Sequence, residues 1–176
     1  PWDAIRSGIG LLTENRKEEG LILPLSVMFN ISLASMEKVT NMGIIDHKQE
    51  RRQAVDYLEQ LDIRTPSVDQ QVEYLSGGNQ QKVVLAKWLA TEPEIILMSE
   101  PTRGIDVGAK AEVYRLIDEL AAQGKVIILV SSELPEIINL SDRIYVMYEG
   151  RVAAELDATQ TSQEEIGMYG TGGYTR

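Results

Sequence analysis

Leu75-Ser76-Gly77-Gly78-Asn79-Gln80-Gln81-Lys82 ends a polar, proline-containing segment and opens an apolar-periodic run through Leu85, Trp88 and Leu89. The pattern predicts a helix beginning just after Ser76, a good N-cap type because its hydroxyl can accept from a first-turn N–H. Two adjacent glycines leave backbone N–H groups uncovered at the positive end of the helix dipole, an arrangement suited to holding a phosphate. Taken alone, Ser-Gly-Gly before a helix is more often only a turn and a cap. The residues further along the chain change that balance.

Ile95-Ile96-Leu97-Met98 is a short apolar run without alternation, and Ser99-Glu100-Pro101-Thr102-Arg103-Gly104-Ile105-Asp106 follows it directly. That combination reads as a buried strand emptying onto a polar loop. These stretches together resemble the ATP-binding-cassette (ABC) ATPases. Leu75 to Gln80 is similar to their signature motif, Ile95 to Glu100 to their Walker B strand with the following glutamate, and Gly104 to Asp106 to the D-loop. Asn79-Gln80-Gln81, with Pro101 to Lys110, resembles specifically the second cassette of sugar importers of the ribose, galactose and xylose kind. The resemblance covers nearly the whole chain. It implies an α/β, P-loop NTPase-like ABC ATPase domain with a parallel sheet core and a helical subdomain.

Composition agrees with one domain able to bury a core: 176 residues, 43% hydrophobic and 25% charged. A formal charge of −10 argues against a nucleic-acid surface, which needs clustered Lys and Arg. Without cysteine there is no disulfide framework or thiolate metal site, and the single histidine, His47, cannot build a metal site alone. No apolar run is long enough to cross a bilayer, and the first residues lack the pattern of a signal peptide. Membrane contact is therefore expected through a partner.

In chain order, residues 1–6 read as a short helix and Gly8 to Leu12 as a strand, followed by a charged turn from Thr13 to Gly20. In the ABC family the loop after this strand carries a residue, usually glutamine, that touches the metal and the attacking water. Glu14 stands at that position, as it often does in sugar-importer second cassettes. Residues 25–75 read as a helical subdomain, which by resemblance leans on the transmembrane permease. Within it, Ala54, Val55, Leu58 and Leu61 form one apolar helical face, and Met28, Met36 and Met42 read as core or gap-filling residues. The signature, Walker B, D-loop and switch region spans 75–135. Val113, Leu116, Ile117 and Leu120 predict a helix stopped by Gly124 before the strand Val126 to Val130, so the sheet should be parallel and covered on both faces. Residues 143–148 and 151–156, joined by Glu149-Gly150, read as a hairpin within a C-terminal region 143–176, and Thr171-Gly172-Gly173 as a flexible tail.

Gly-x-x-x-x-Gly-Lys-Ser/Thr occurs nowhere in the sequence; the one Gly-Lys pair, Gly124-Lys125, lacks the upstream glycine and the hydroxyl residue. The chain thus has no loop to cradle the β- and γ-phosphates. By resemblance it is expected to be the C-terminal part of a cassette, inactive by itself.

The resemblance further implies two cassettes facing head to tail, with each ATP between the phosphate loop of one and the signature of the other. Ser76, Gly77 and Gly78 would touch the partner's γ-phosphate, so a side chain at Gly78 should obstruct it, and Gln80 would shape that loop. In the chain's own half-site Glu100 would orient or deprotonate the attacking water, and Asp106 would link the two sites. Three residues depart from the family pattern there. Ser99 replaces the aspartate that holds magnesium-bound water, Ser132 replaces the switch histidine, and Glu14 replaces glutamine. Ser99 and Glu14 stand at the Mg²⁺ positions. The half-site reads as impaired.

The implied cofactors are ATP and Mg²⁺. The implied partners are a second cassette, a transmembrane permease and, indirectly, an extracytoplasmic sugar-binding protein, which places the chain peripherally on the cytoplasmic face of the membrane. The function expected is ATP hydrolysis that energises sugar import. The alternative is a nucleotide-binding or regulatory module of a soluble ABC protein. Such relatives usually carry coiled-coil or zinc-hook insertions or basic surfaces, and this acidic, cysteine-free chain has none.

Overall fold

The computed structural model describes residues 2–173. The chain divides into two compact units, Pro1–Ile128 and Leu129–Arg176.

The first unit begins with helix α1 (Trp2–Arg6) and strand β1 (Ile9–Leu12). β1 pairs in parallel with β4 (Ile95–Ser99) from Ile9↔Ile95 to Leu12↔Met98. The Gly8 carbonyl starts this ladder by accepting from Glu94 and Ile95 N–H at 2.8 and 3.0 Å. Strand β5 (Val126–Val130) completes the order β1-β4-β5, and the division between the units falls within it.

Helix α4 (Gly77–Leu89) packs on β1, on α2 (Val27–Ser32) and on α5 (Val107–Ala122). Leu12, Leu85, Met98, Val113, Leu116 and Ile117 close around one apolar gap between these elements. The periodic positions expected to be buried in α5, namely Val113, Leu116, Ile117 and Leu120, are all buried.

Between β1 and α4 the helical region differs in several particulars from the sequence pattern. Thr13 to Gly20 is more than a charged turn, since Arg16–Gly20 winds into one wide helical turn. Two short 3-10 turns, Leu33–Val39, kinked at Ser35 (φ −118°, ψ 25°), lead to a small antiparallel hairpin of β2 (Thr40–Asn41) and β3 (Ile44–Ile45). Met42 lies at the hairpin tip with 98% of its surface exposed, so it is neither core nor filler. Helix α3 (His47–Gln60) starts at the Asp46 cap, which accepts from Lys48 and Gln49 N–H. Its apolar face is narrower than expected: Ala54 is buried and Leu61 just beyond the helix is buried, but Val55 is exposed. The helix instead buries the Glu50 carboxylate, which accepts from the Ser32 hydroxyl at 2.8 Å and meets His47 Nδ1 at 3.0 Å.

In the second unit α6 (Leu134–Leu140) precedes the hairpin of β6 (Arg143–Tyr148) and β7 (Arg151–Asp157). Glu149 and Gly150 take φ values of +47° and +76°, the left-handed pair that a two-residue turn requires to match the strand twist. Ile144, Val146, Ala158 and Ile166 form the core, with Ile137, Ile138 and Tyr169 against it. Helix α7 (Gln163–Gly170) supplies Ile166. Thr171 to Gly173, expected as a flexible tail, instead caps α7: Gly172 N–H donates to Tyr169 O at 3.2 Å and Gly173 N–H to Met168 O at 2.8 Å.

The sheet is not covered throughout. Val126, Ile128 and Val130 on β5 are 55%, 51% and 59% exposed, contrary to the expectation of two buried faces.

Candidate functional site

Ser76 has extended backbone (φ −60°, ψ 157°) and caps α4, its Oγ accepting from Asn79 N–H at 3.4 Å and from Asn79 Nδ2 at 2.9 Å. The Asn79 amide is itself anchored, because its Oδ1 accepts from Arg64 N–H at 2.8 Å. Gln80 is buried and donates from Nε2 to the Val72 carbonyl at 3.1 Å, which ties the segment entering the helix to the helix itself. The local fold follows from a capping serine, an anchored amide and a buried glutamine within the first turn of α4.

The two glycines have a structural reason that the sequence did not disclose. A Cβ on Gly77 would stand 2.8 Å from Arg16 Nη2 and 3.0 Å from the Gly104 carbonyl, and one on Gly78 would stand 2.7 Å from Ala109 Cβ. Both glycines therefore let α4 meet the 100–106 loop and the start of α5 at close range. A side chain at Gly78 would strike α5 within the chain before it met any partner.

β4 delivers Ser99, half-buried, and then Glu100 at φ +48°, a left-handed conformation uncommon for a residue with a Cβ and characteristic of strained functional loops. The turn closes with Arg103 N–H donating to the Glu100 carbonyl at 3.1 Å. Asp106 caps α5, its Oδ1 accepting from Ala109 N–H at 2.9 Å. Lys82, buried on α4, ties that helix to α5 by donating to Glu112 at 2.7 Å. That bond holds the Glu112 carboxyl below its usual range.

The loop after β1 reaches this same place. Glu14 forms an ion pair with Arg103. Arg16, which the sequence reading passed over, donates from Nη1 to the Arg103 carbonyl at 2.6 Å, from Nη2 to the Gly104 carbonyl at 2.9 Å, and from Nε toward Gln80 Oε1 at 3.5 Å. Burial lowers its pKa from the ordinary guanidinium value. The first unit thus brings Glu14, Arg16, Gly77, Gln80 and the 100–106 loop together. Ser132 lies in the second unit, exposed on the turn before α6.

Among the described residues no group of three or more His, Asp or Glu side chains could hold a metal ion. Ser99 offers a neutral hydroxyl and Glu14 is engaged by Arg103, so these donors alone do not fit a resident Mg²⁺ site.

Residues 3–103 match the ABC transporter family. The chain belongs to that family. It is 48% identical over 172 residues to the ribose import ATP-binding protein RbsA of Yersinia pestis, covering 98% of this chain and 34% of that protein. Its identity to the protein of the same name from Bacillus subtilis is 48% over 173 residues, covering 98% and 35%. The chain thus spans about one third of the length of these curated relatives.

Among solved structures, a dimeric ATP-binding cassette in a post-hydrolysis state bound to ADP and phosphate is 26% identical, with a TM-score of 0.73 over 87% of this chain and 64% of that one. A nucleotide-free cassette from an ABC transporter matches with a TM-score of 0.76 over 95% of this chain at 22% identity, a likeness of fold. The expected ABC ATPase fold, an α/β arrangement with a parallel β1-β4 pair, is the fold observed.

Proposed function

We propose that this ABC chain is part of the ATP-hydrolysing subunit that energises import of a sugar, and that its intact contribution is the signature half-site offered to a partner cassette. The observation that carries this reading is the α4 N-terminus, where the exposed, capping Ser76 stands beside Gly77 and Gly78 in a chain about half identical to ribose import ATP-binding proteins. Helix-end N–H groups and a hydroxyl there suit the γ-phosphate of an ATP held by the partner, and Gln80 holds that end in place. In the chain's own half-site, Glu100 orients or deprotonates the attacking water, and Asp106 links the two sites. Ser99 and Glu14 leave this half-site with less electrostatic help than the family pattern supplies.

The partners are a second cassette in head-to-tail contact, a transmembrane permease met through the helical region 25–75, and indirectly an extracytoplasmic sugar-binding protein. The chain then works on the cytoplasmic face of the membrane. Among the described residues no helix is long and apolar enough to cross a bilayer.

Titration with a fluorescent ATP analogue tests the division of labour. The chain alone is expected to show no micromolar binding and no hydrolysis. An intact, ATP-loaded cassette of the same importer is expected to capture it. Micromolar affinity of the chain alone, with turnover abolished by Glu100→Gln, would overturn the proposal.

A further inference from the structure

The loop after β1 grips the 100–106 loop at two points that no motif in the sequence announces. Arg16 spans the Arg103 and Gly104 carbonyls with both terminal nitrogens, at 2.6 and 2.9 Å, while its Nε faces Gln80. Two residues earlier, the Glu14 carboxylate holds the Arg103 side chain. The guanidinium fills the space left by Gly77, where a Cβ would stand 2.8 Å from Nη2. A planar fork that donates to two successive carbonyls fixes the peptide between them in orientation as well as position, which a single-point cation cannot do.

We propose that Arg16 is a positioning residue that latches the Arg103-Gly104 turn against the start of α4, so that Asp106 and Ser76 meet a partner cassette as one preformed surface. This rests on the composite-site reading above. The guanidinium donors of Arg16 are spent on the Arg103 and Gly104 carbonyls and on Gln80. Its effect is to remove the ordering that the turn would otherwise undergo when the partner docks, which strengthens association without altering chemistry.

The test uses Arg16→Met and Arg16→Lys with two readouts. Hydrogen exchange of the amides from Glu100 to Gly108, measured on this chain without nucleotide, should quicken by about tenfold or more in Arg16→Met, as expected when hydrogen bonds from a charged donor are lost. Arg16→Lys, which reaches one carbonyl at a time, should recover only part of it. In ATP-dependent association with an intact partner cassette, Arg16→Met should raise the ATP concentration for half-maximal association by about tenfold, with the maximal turnover of the assembled pair little changed. Unaltered exchange in Arg16→Met overturns the latch whatever the partner does. Full recovery by Arg16→Lys overturns the role of the fork. Quickened exchange with no ATP-dependent association, even in the unsubstituted chain, supports the latch and removes the composite-site reading instead.

Discussion

Lys87 lies on the inward side of α4, 6% exposed, with its ammonium donating to the Gly20 carbonyl at 2.6 Å and standing 5.1 Å from the Trp88 ring centre. Burial lowers its pKa from 10.5 to about 8. The consequence for stability has a definite sign. Below pH 8 the lysine is charged in both states, and the folded chain bears the full cost of burying it. Between about 8 and 10.5 the unfolded chain holds the extra proton, so this residue's contribution to stability rises with pH. Denaturant melts at pH 7.5 and 10 should show a rise of about 2 kcal/mol that is missing in Lys87→Met. A parallel pH dependence in the variant would refute the assignment. Residues of this kind separate what sequence discloses from what it hides. Ser76, Gly77 and Gly78 announce a helix start by type and spacing. Arg16 stands in a charged stretch, Arg16-Lys17-Glu18-Glu19, where nothing distinguishes the one cation that folds inward, because its partners are backbone carbonyls some ninety residues away.

Elements were legible in proportion to how fully one pattern determines them. α5 and the β6-β7 hairpin follow from an apolar helical stripe and from Glu149-Gly150, and both formed as read. The pattern locates α3 but not its inward face: periodicity weighs Val55 as apolar and Glu50 as polar, whereas tertiary hydrogen bonding from Ser32 makes Glu50 the buried one. The β2-β3 hairpin is too short for any alternation to show, which left Met42 looking like filler. β5 was read correctly as an apolar strand, but the near-continuous run that predicts burial on two faces cannot say whether both are covered. Its outward Val126, Ile128 and Val130 are more than half exposed, and a row of exposed apolar side chains on a strand favours association. Replacing Ile128 with Thr, which keeps β-propensity, should therefore lower light scattering on concentration while leaving the far-ultraviolet circular dichroism unchanged. Equal scattering by both chains would show that aggregation arises elsewhere.

At the scale of the whole molecule, the chain matches the ABC family over residues 3–103 and carries the capped α4 end and the Glu100 turn in its first unit, with Ser132 in the second. Resemblance along the chain made the family and the fold readable, while the packing of Gly78 against Ala109 was not, because a glycine's neighbours are set by tertiary contact. That packing also selects the right probe. A Gly78 substitution confounds folding with partner contact, whereas Ser76→Asp keeps an equally good N-cap and places only a negative charge where the partner's phosphate is proposed to lie. The central claim is that this chain serves its partner's nucleotide better than its own. Steady-state ATPase rates in the assembled transporter, compared between Ser76→Asp and Glu100→Gln at unchanged melting temperature, test it most directly. The account predicts a loss of about a hundredfold for Ser76→Asp and a far smaller one for Glu100→Gln. Equal losses, or a greater loss for Glu100→Gln, would show that the half-site built from Glu100, Ser99 and Glu14 is a working catalytic centre and would contradict the account.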